Sequence, residues 1–131
     1  MKYTTIKIAV CDKIKDDGIA ASQFISEFYM KNNNQAEIQQ FDDTETIIDA
    51  FRLQNNFTAV FIGIYSMDDV DTAWVIRKLA PNCPIIIMSD SGDYSLEGYR
   101  LDAFGYWLKP LDGKKINETL ERLNKNMSYG I

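Results

Sequence analysis

The chain has 131 residues, 46% of them hydrophobic, which is enough for one domain with a proper core and too few for a second of similar size. Its 14 basic and 19 acidic residues leave a net charge of −5, which argues against direct contact with a nucleic-acid phosphate backbone. The absence of histidine excludes histidine acid–base catalysis, the usual triads and a phosphohistidine relay role.

In chain order, Met1 to Thr5 leads straight into an apolar strand over 6–10, ending at Asp12, with none of the features of a signal peptide. Ala21, Phe24, Ile25 and Phe28 recur at helical spacing behind Asp16 and Asp17, whose carboxylates suit a helix N-terminus. They predict a first helix that ends by Asn32, Asn33 and Asn34. Residues 36–41 alternate as a modest strand, and Thr44, with Ile47, Ile48 and Phe51 behind it, predicts a second helix with Thr44 as its N-cap and Asn55 and Asn56 closing it. A buried strand over 58–62 ends in Gly63. Ala73, Ile76 and Ala80 mark one face of a third helix stopped by Pro81 and Pro84. Trp74 and Val75 lie off that face, either as a flank packed on neighbouring loops or as a partner-binding patch. A fourth strand over 85–88 ends at Ser89, and a fourth helix covers roughly 93–101. A fifth strand over 104–108 ends at Lys109 and Pro110, and the last helix carries Ile116, Leu120, Leu123 and Met127 on one face.

Short apolar strands alternating with helices predict an α/β fold, a doubly wound, five-stranded parallel sheet in a single (βα)5 domain. The carboxyl ends of parallel strands share one rim, so Asp12, Gly63, Ser89 and Lys109 are expected around one crevice. No window approaches the ~20 apolar residues of a membrane span. Cys11 and Cys83 lack metal-ligand spacing and read as reduced structural thiols, with redox sensing a minor alternative. Together these point to the cytoplasm.

The runs from Ile8 to Asp12, Ile85 to Ser89 and Ala103 to Pro110 resemble the receiver domains of bacterial response regulators across essentially the whole chain, which implies the flavodoxin-like (CheY-like) form of this α/β fold. The segment from Asp93 to Tyr99 resembles in particular the receivers of LytTR-type transcription regulators. The resemblance implies a site in which two acidic residues after the first strand and an aspartate ending the third hold Mg²⁺, and the latter aspartate takes a phosphoryl group from a histidine kinase. Here the first acidic position is Asp12, the second is Lys13, and the acceptor position is Gly63. Phosphoryl transfer needs an oxygen nucleophile in line with the leaving group and a cation to neutralise developing charge, and this set supplies neither. Lys13 either enters the crevice or stands in solvent. Gly63 has a plain reading as well, a strand end where backbones approach closely.

By the same resemblance, Ser89 and Lys109 match the hydroxyl and lysine that contact phosphoryl oxygens. Lys109 is free to pair with Asp12, Pro110 follows a peptide bond expected to be cis, and Tyr106 matches an aromatic switch position that could equally be a plain tyrosine. The loop from Tyr65 to Asp69 is shorter than the family's and lacks its Met-Pro-Gly turn.

The expectation is therefore a degenerate receiver of two-component signal transduction with no enzymatic activity, metal or cofactor. It would act by protein contact or dimerisation through the face of helix four, strand five and helix five, with Tyr99, Tyr106 and Trp74 at the switch or interface. A DNA-binding domain is expected to follow in a longer transcription regulator, with no direct nucleic-acid or membrane contact by this domain. Two alternatives stand beside it: phosphorylation at an unusual aspartate, Asp68 or Asp69, and small-molecule sensing at the crevice.

Overall fold

The computed structural model describes residues 6–54 and 56–129, with side chains up to residue 125. The residues from Met1 to Thr5, Asn55 and the side chain of Met127 lie outside the described residues. The strands are β1 (Ile6–Cys11), β2 (Ala36–Phe41), β3 (Ala59–Gly63), β4 (Ile85–Ser89) and β5 (Gly105–Leu108). The helices are α1 (Lys15–Lys31), α2 (Thr44–Leu53), α3 (Met67–Leu79), α4 (Ser95–Arg100) and α5 (Gly113–Tyr129), in strict alternation with the strands. All strand pairs are parallel, in the order β2-β1-β3-β4-β5.

The two-residue period of a strand explains how the sheet is covered on both faces. Ala9, Cys11, Val60, Ile62, Ile85 and Ile87 point to one side and pack with Ile47 and Phe51 of α2 and Val70, Ala73 and Ile76 of α3. Their neighbours Ile8, Val10, Ala59, Phe61, Ile86 and Met88 point to the other and pack with Ala21 and Ile25 of α1 and Ile116, Leu120 and Leu123 of α5. The central β3 and β4 are buried at every position, whereas edge strand β2 is only half-buried and alternates.

Helix starts show where local chemistry beats pattern. α2 is capped not by Thr44 but by Asp43, whose carboxylate accepts from the Thr46 N–H at 2.8 Å. Thr44 is thereby freed to meet Thr72 of α3, hydroxyl to hydroxyl at 3.1 Å. α4 is shorter than the sequence pattern suggests, starting only at Ser95 because Ser91 to Asp93 form the connection from β4. Among the described residues no helix is long and apolar enough to cross a membrane.

Candidate functional site

Register brings the ends of β1, β3, β4 and β5 to one rim. Cys11 lies beside Ile62, Gly63 beside Met88, and Ser89 beside Leu108. Asp12 follows β1 into the crevice and is 2% exposed. Its Oδ1 accepts from the Ile14 N–H at 2.9 Å, which turns the chain into α1.

Lys109, carried in by β5 and followed by the cis Lys109–Pro110 peptide, sets its Nζ 2.9 Å from Asp12 Oδ2 and 2.6 Å from Asp17 Oδ2. The Tyr65 hydroxyl lies 2.8 and 2.9 Å from the two Asp12 oxygens and also meets Lys109 Nζ, which sits 4.6 Å from the centre of the Tyr65 ring. The hydroxyl's single proton is donated to the carboxylate while its lone pairs accept from the ammonium. Burial raises the Asp12 carboxyl above its ordinary range, against the opposing pull of Lys109.

Gly63 explains how Asp12 fits. A Cβ built at this position would fall 2.6 Å from Asp12 Oδ2 and 2.8 Å from its Cγ, closer than real Cβ atoms come. The carboxylate of Asp12 thus occupies the space that a side chain at 63 would need. The void beside Gly63, bounded by Cys11, Lys13, Ile62 and Asp69, measures ≈ 10 Å³, room for about one water.

Lys13 turns away from Asp12 and pairs with Asp69 at 2.7 Å, which raises its pKa. Asp69 is 4% exposed, and its other oxygen accepts from the Tyr65 N–H at 2.8 Å and the Ser66 hydroxyl at 3.3 Å. Ser66, the residue before α3, makes no side-chain cap of its own. Asp68, in the first turn of the same helix, uses its carbonyl to accept from the Thr72 hydroxyl at 3.1 Å.

On the other half of the rim, the fully buried Ser89 hydroxyl donates to the Ile64 carbonyl at 2.8 Å and accepts from the Ser91 N–H at 3.4 Å. The Tyr106 hydroxyl donates to the Ser91 carbonyl at 2.7 Å, and that of Tyr94 to the Tyr65 carbonyl at 3.0 Å. Asp12, Gly63, Ser89 and Lys109 are therefore together around the crevice, Lys13 stands at its margin, and Tyr106 points in from β5. Tyr99 (76% exposed) and Trp74 (36% exposed) are outside it, on α4 and α3. Cys11 and Cys83 are buried, and burial pushes their thiols up to about 12 and about 11.

Sequence reasoning missed Tyr65 and Asp17 as crevice partners and raised Asp69 only as an alternative phosphoryl acceptor. Tyr65 reads as loop, and Asp17 and Asp69 as first-turn carboxylates, which they also are. The available signal was one of number: a crevice with two lysines calls for carboxylates beyond Asp12.

A Mg²⁺ ion usually takes one or two carboxylates with water or phosphate oxygens. The donor set here does not fit it: Asp12 has both oxygens engaged by a phenol, an ammonium and an amide, Asp17 is tied to Lys109, and Asp69 is held by Lys13, Tyr65 and Ser66. Among the described residues no group of three or more acidic, cysteine or histidine side chains is placed to hold a metal.

No protein-family model matches the chain. Among curated proteins it is 32% identical over 113 residues to the transcriptional regulatory protein YpdB of Escherichia coli, covering 84% of this chain and 46% of that one. It is 28% identical over 100 residues to the sensory transduction protein LytR of Staphylococcus epidermidis, covering 73% and 39%. The chain thus spans less than half the length of these relatives. Among solved structures, the response regulatory domain of protein mrkE from Klebsiella pneumoniae superposes with a TM-score of 0.79 at 25% identity, covering 95% of this chain and 99% of that one.

Proposed function

We propose that this chain, a response regulator receiver (CheY-like) domain of two-component signalling, works by protein–protein contact and is not switched by aspartyl phosphorylation. The observation that carries this reading is the space at Gly63. The acceptor position lacks a side chain, the place a side chain would take is filled by Asp12, and the cation facing Asp12 is Lys109. With no nucleophile at 63 and no ligand set for Mg²⁺, neither half of the phosphoryl chemistry has its reagent. Asp69 is a poor substitute acceptor, since one oxygen is held by Lys13 and the other by Tyr65 and Ser66. The space beside Gly63 has no room for a small molecule, and the ≈ 240 Å³ cavity that Asp12 also lines opens instead between α1 and the end of β2.

A receiver of this kind holds one member of its conformational equilibrium by internal contacts alone, because only differential stabilisation of the two states fixes their populations. The inward Tyr106, bonded to Ser91, supports such a fixed state. Its output then depends on concentration and partner. The face of α4, β5 and α5 exposes Leu96, Tyr99 and Leu108 and is the contact surface in this reading, with Trp74 of α3 as a second candidate. The similarity to YpdB, a transcriptional regulatory protein, supports reading the domain as part of a transcription regulator, with any DNA-binding part in another domain. Analytical ultracentrifugation of the wild type and of Tyr99→Ala, Tyr106→Ala and Trp74→Ala tests the contact. A dimer or partner complex weakened by at least one substitution is expected; a strict monomer, with all three variants unchanged in output of the full-length regulator, contradicts it.

A further inference from the structure

We propose that Tyr65 is a built-in ligand of the crevice, and that it couples the crevice to the α4 side of the domain through its main chain. The proposal rests on the phosphorylation-free reading above and adds how the resulting state is held.

Three bonding directions meet at Tyr65. Its hydroxyl closes the Asp12–Lys109 pair, at 2.8 and 2.9 Å from the carboxylate oxygens. Its N–H donates to Asp69, the partner of Lys13, so one residue touches the charge networks of both lysines. Its carbonyl accepts from Tyr94, the residue just before α4.

The adjoining Ile64 completes the path. Its carbonyl holds the buried Ser89 hydroxyl, which accepts from the Ser91 N–H, and the Ser91 carbonyl in turn holds Tyr106. Two hydrogen-bonded routes therefore run from the loop after β3 to the segment before α4, and both begin within two residues. The phenol itself supplies, from the protein's own chain, an oxygen between the Asp12 carboxylate and the Lys109 ammonium. An external oxygen ligand would have to displace it. Removing that oxygen loosens the loop, and coupling between two sites acts equally in both directions.

Amide hydrogen exchange on the full chain tests this with Tyr65→Phe and Tyr94→Phe, each of which deletes one hydroxyl. Tyr65→Phe is expected to speed exchange about five-fold or more over both 64–69 and 91–98, while the β1–β2 pair stays as in the wild type. The Lys109 ammonium resonance should shift as its phenol partner disappears. By reciprocity, Tyr94→Phe should speed exchange at 64–66 as well as at 94–98. An exchange change confined to each mutated segment, or spread evenly over the whole domain, overturns the coupling. An unshifted Lys109 resonance overturns the ligand role. If Tyr65→Phe does not fold, the Tyr94→Phe result alone decides the coupling. Intact mass after acetyl phosphate treatment of the same wild-type sample separates the two readings: phosphorylation there sinks the phosphorylation-free reading, whatever the exchange pattern shows.

Discussion

The two halves of the crevice rim use the same materials for different ends. Around Asp12, charge is buried: Asp12, with its side chain fully covered, faces Lys109, which β5 carries in and whose side chain is 11% exposed, and the pair is closed by Asp17 and Tyr65. On the β4–β5 half, neutral groups are buried: Ser89, Tyr94 and Tyr106 each donate a hydroxyl proton to a main-chain carbonyl. The first half is where this chain departs from the chemistry its resemblance implies, at Lys13 and Gly63. The second carries Ser89 and Tyr106, the residues the resemblance leads one to expect there. On the phosphorylation-free reading proposed above, the hydroxyl relay stays bonded beside a site without phosphoryl reagents because the buried charges there find each other.

The contrast predicts unequal costs. Lys109→Ala leaves Asp12 buried without its cation and should lower stability by about 3–5 kcal/mol. Tyr106→Phe, on the neutral half, should lower it by about 0.5–1.5 kcal/mol. Urea unfolding midpoints at constant slope check both, and equal effects would erase the distinction between the halves.

Gly63→Ala comes next. Its Cβ must push aside a carboxylate tied to Lys109, Tyr65 and Ile14, so a loss of about 1–3 kcal/mol is expected. Gly63→Asp should cost more, because it adds a like charge at the same short distance. A neutral outcome for Gly63→Ala would mean that Asp12 is free to move.

The smallest effect concerns pH. The Thr46 N–H, followed by its hydroxyl, holds the Asp43 carboxyl below its ordinary range. Its stability contribution is present above the ordinary carboxylate pKa and lost as the pH falls through the lowered value. Asp12 works the other way. Raised by burial, its contribution is full below the ordinary carboxylate pKa and lost as the pH rises through the raised value. Side-chain carboxyl NMR titration should therefore show Asp12 protonating at a higher pH than Asp43; the reverse order would mean that Lys109 outweighs burial.

Much of the fold was legible because its signals are local. β3 and β4 are unbroken apolar runs, and the faces of α1, α3 and α5 are set by spacing within each helix, which a linear reading captures. The N-cap of α2 was misplaced by one residue because Asp43 and Thr44 are both good caps; Asp43 caps, and Thr44 meets Thr72, 28 residues away in the chain. The site was legible only in its strand-end members, for which topology fixes the position. The direction of Lys13 depended on Asp69, and the occupancy of the crevice on Tyr65, partners supplied by a loop whose course no periodicity encodes.

The central claim is that no aspartate in this domain accepts a phosphoryl group. Incubation with acetyl phosphate and millimolar Mg²⁺, followed by intact-mass spectrometry under non-acidic, rapid conditions, tests it most directly. The account predicts an unchanged mass for the wild type. A stoichiometric gain of one phosphoryl group, removed by hydroxylamine and absent in Asp69→Asn or Asp12→Asn, would contradict it.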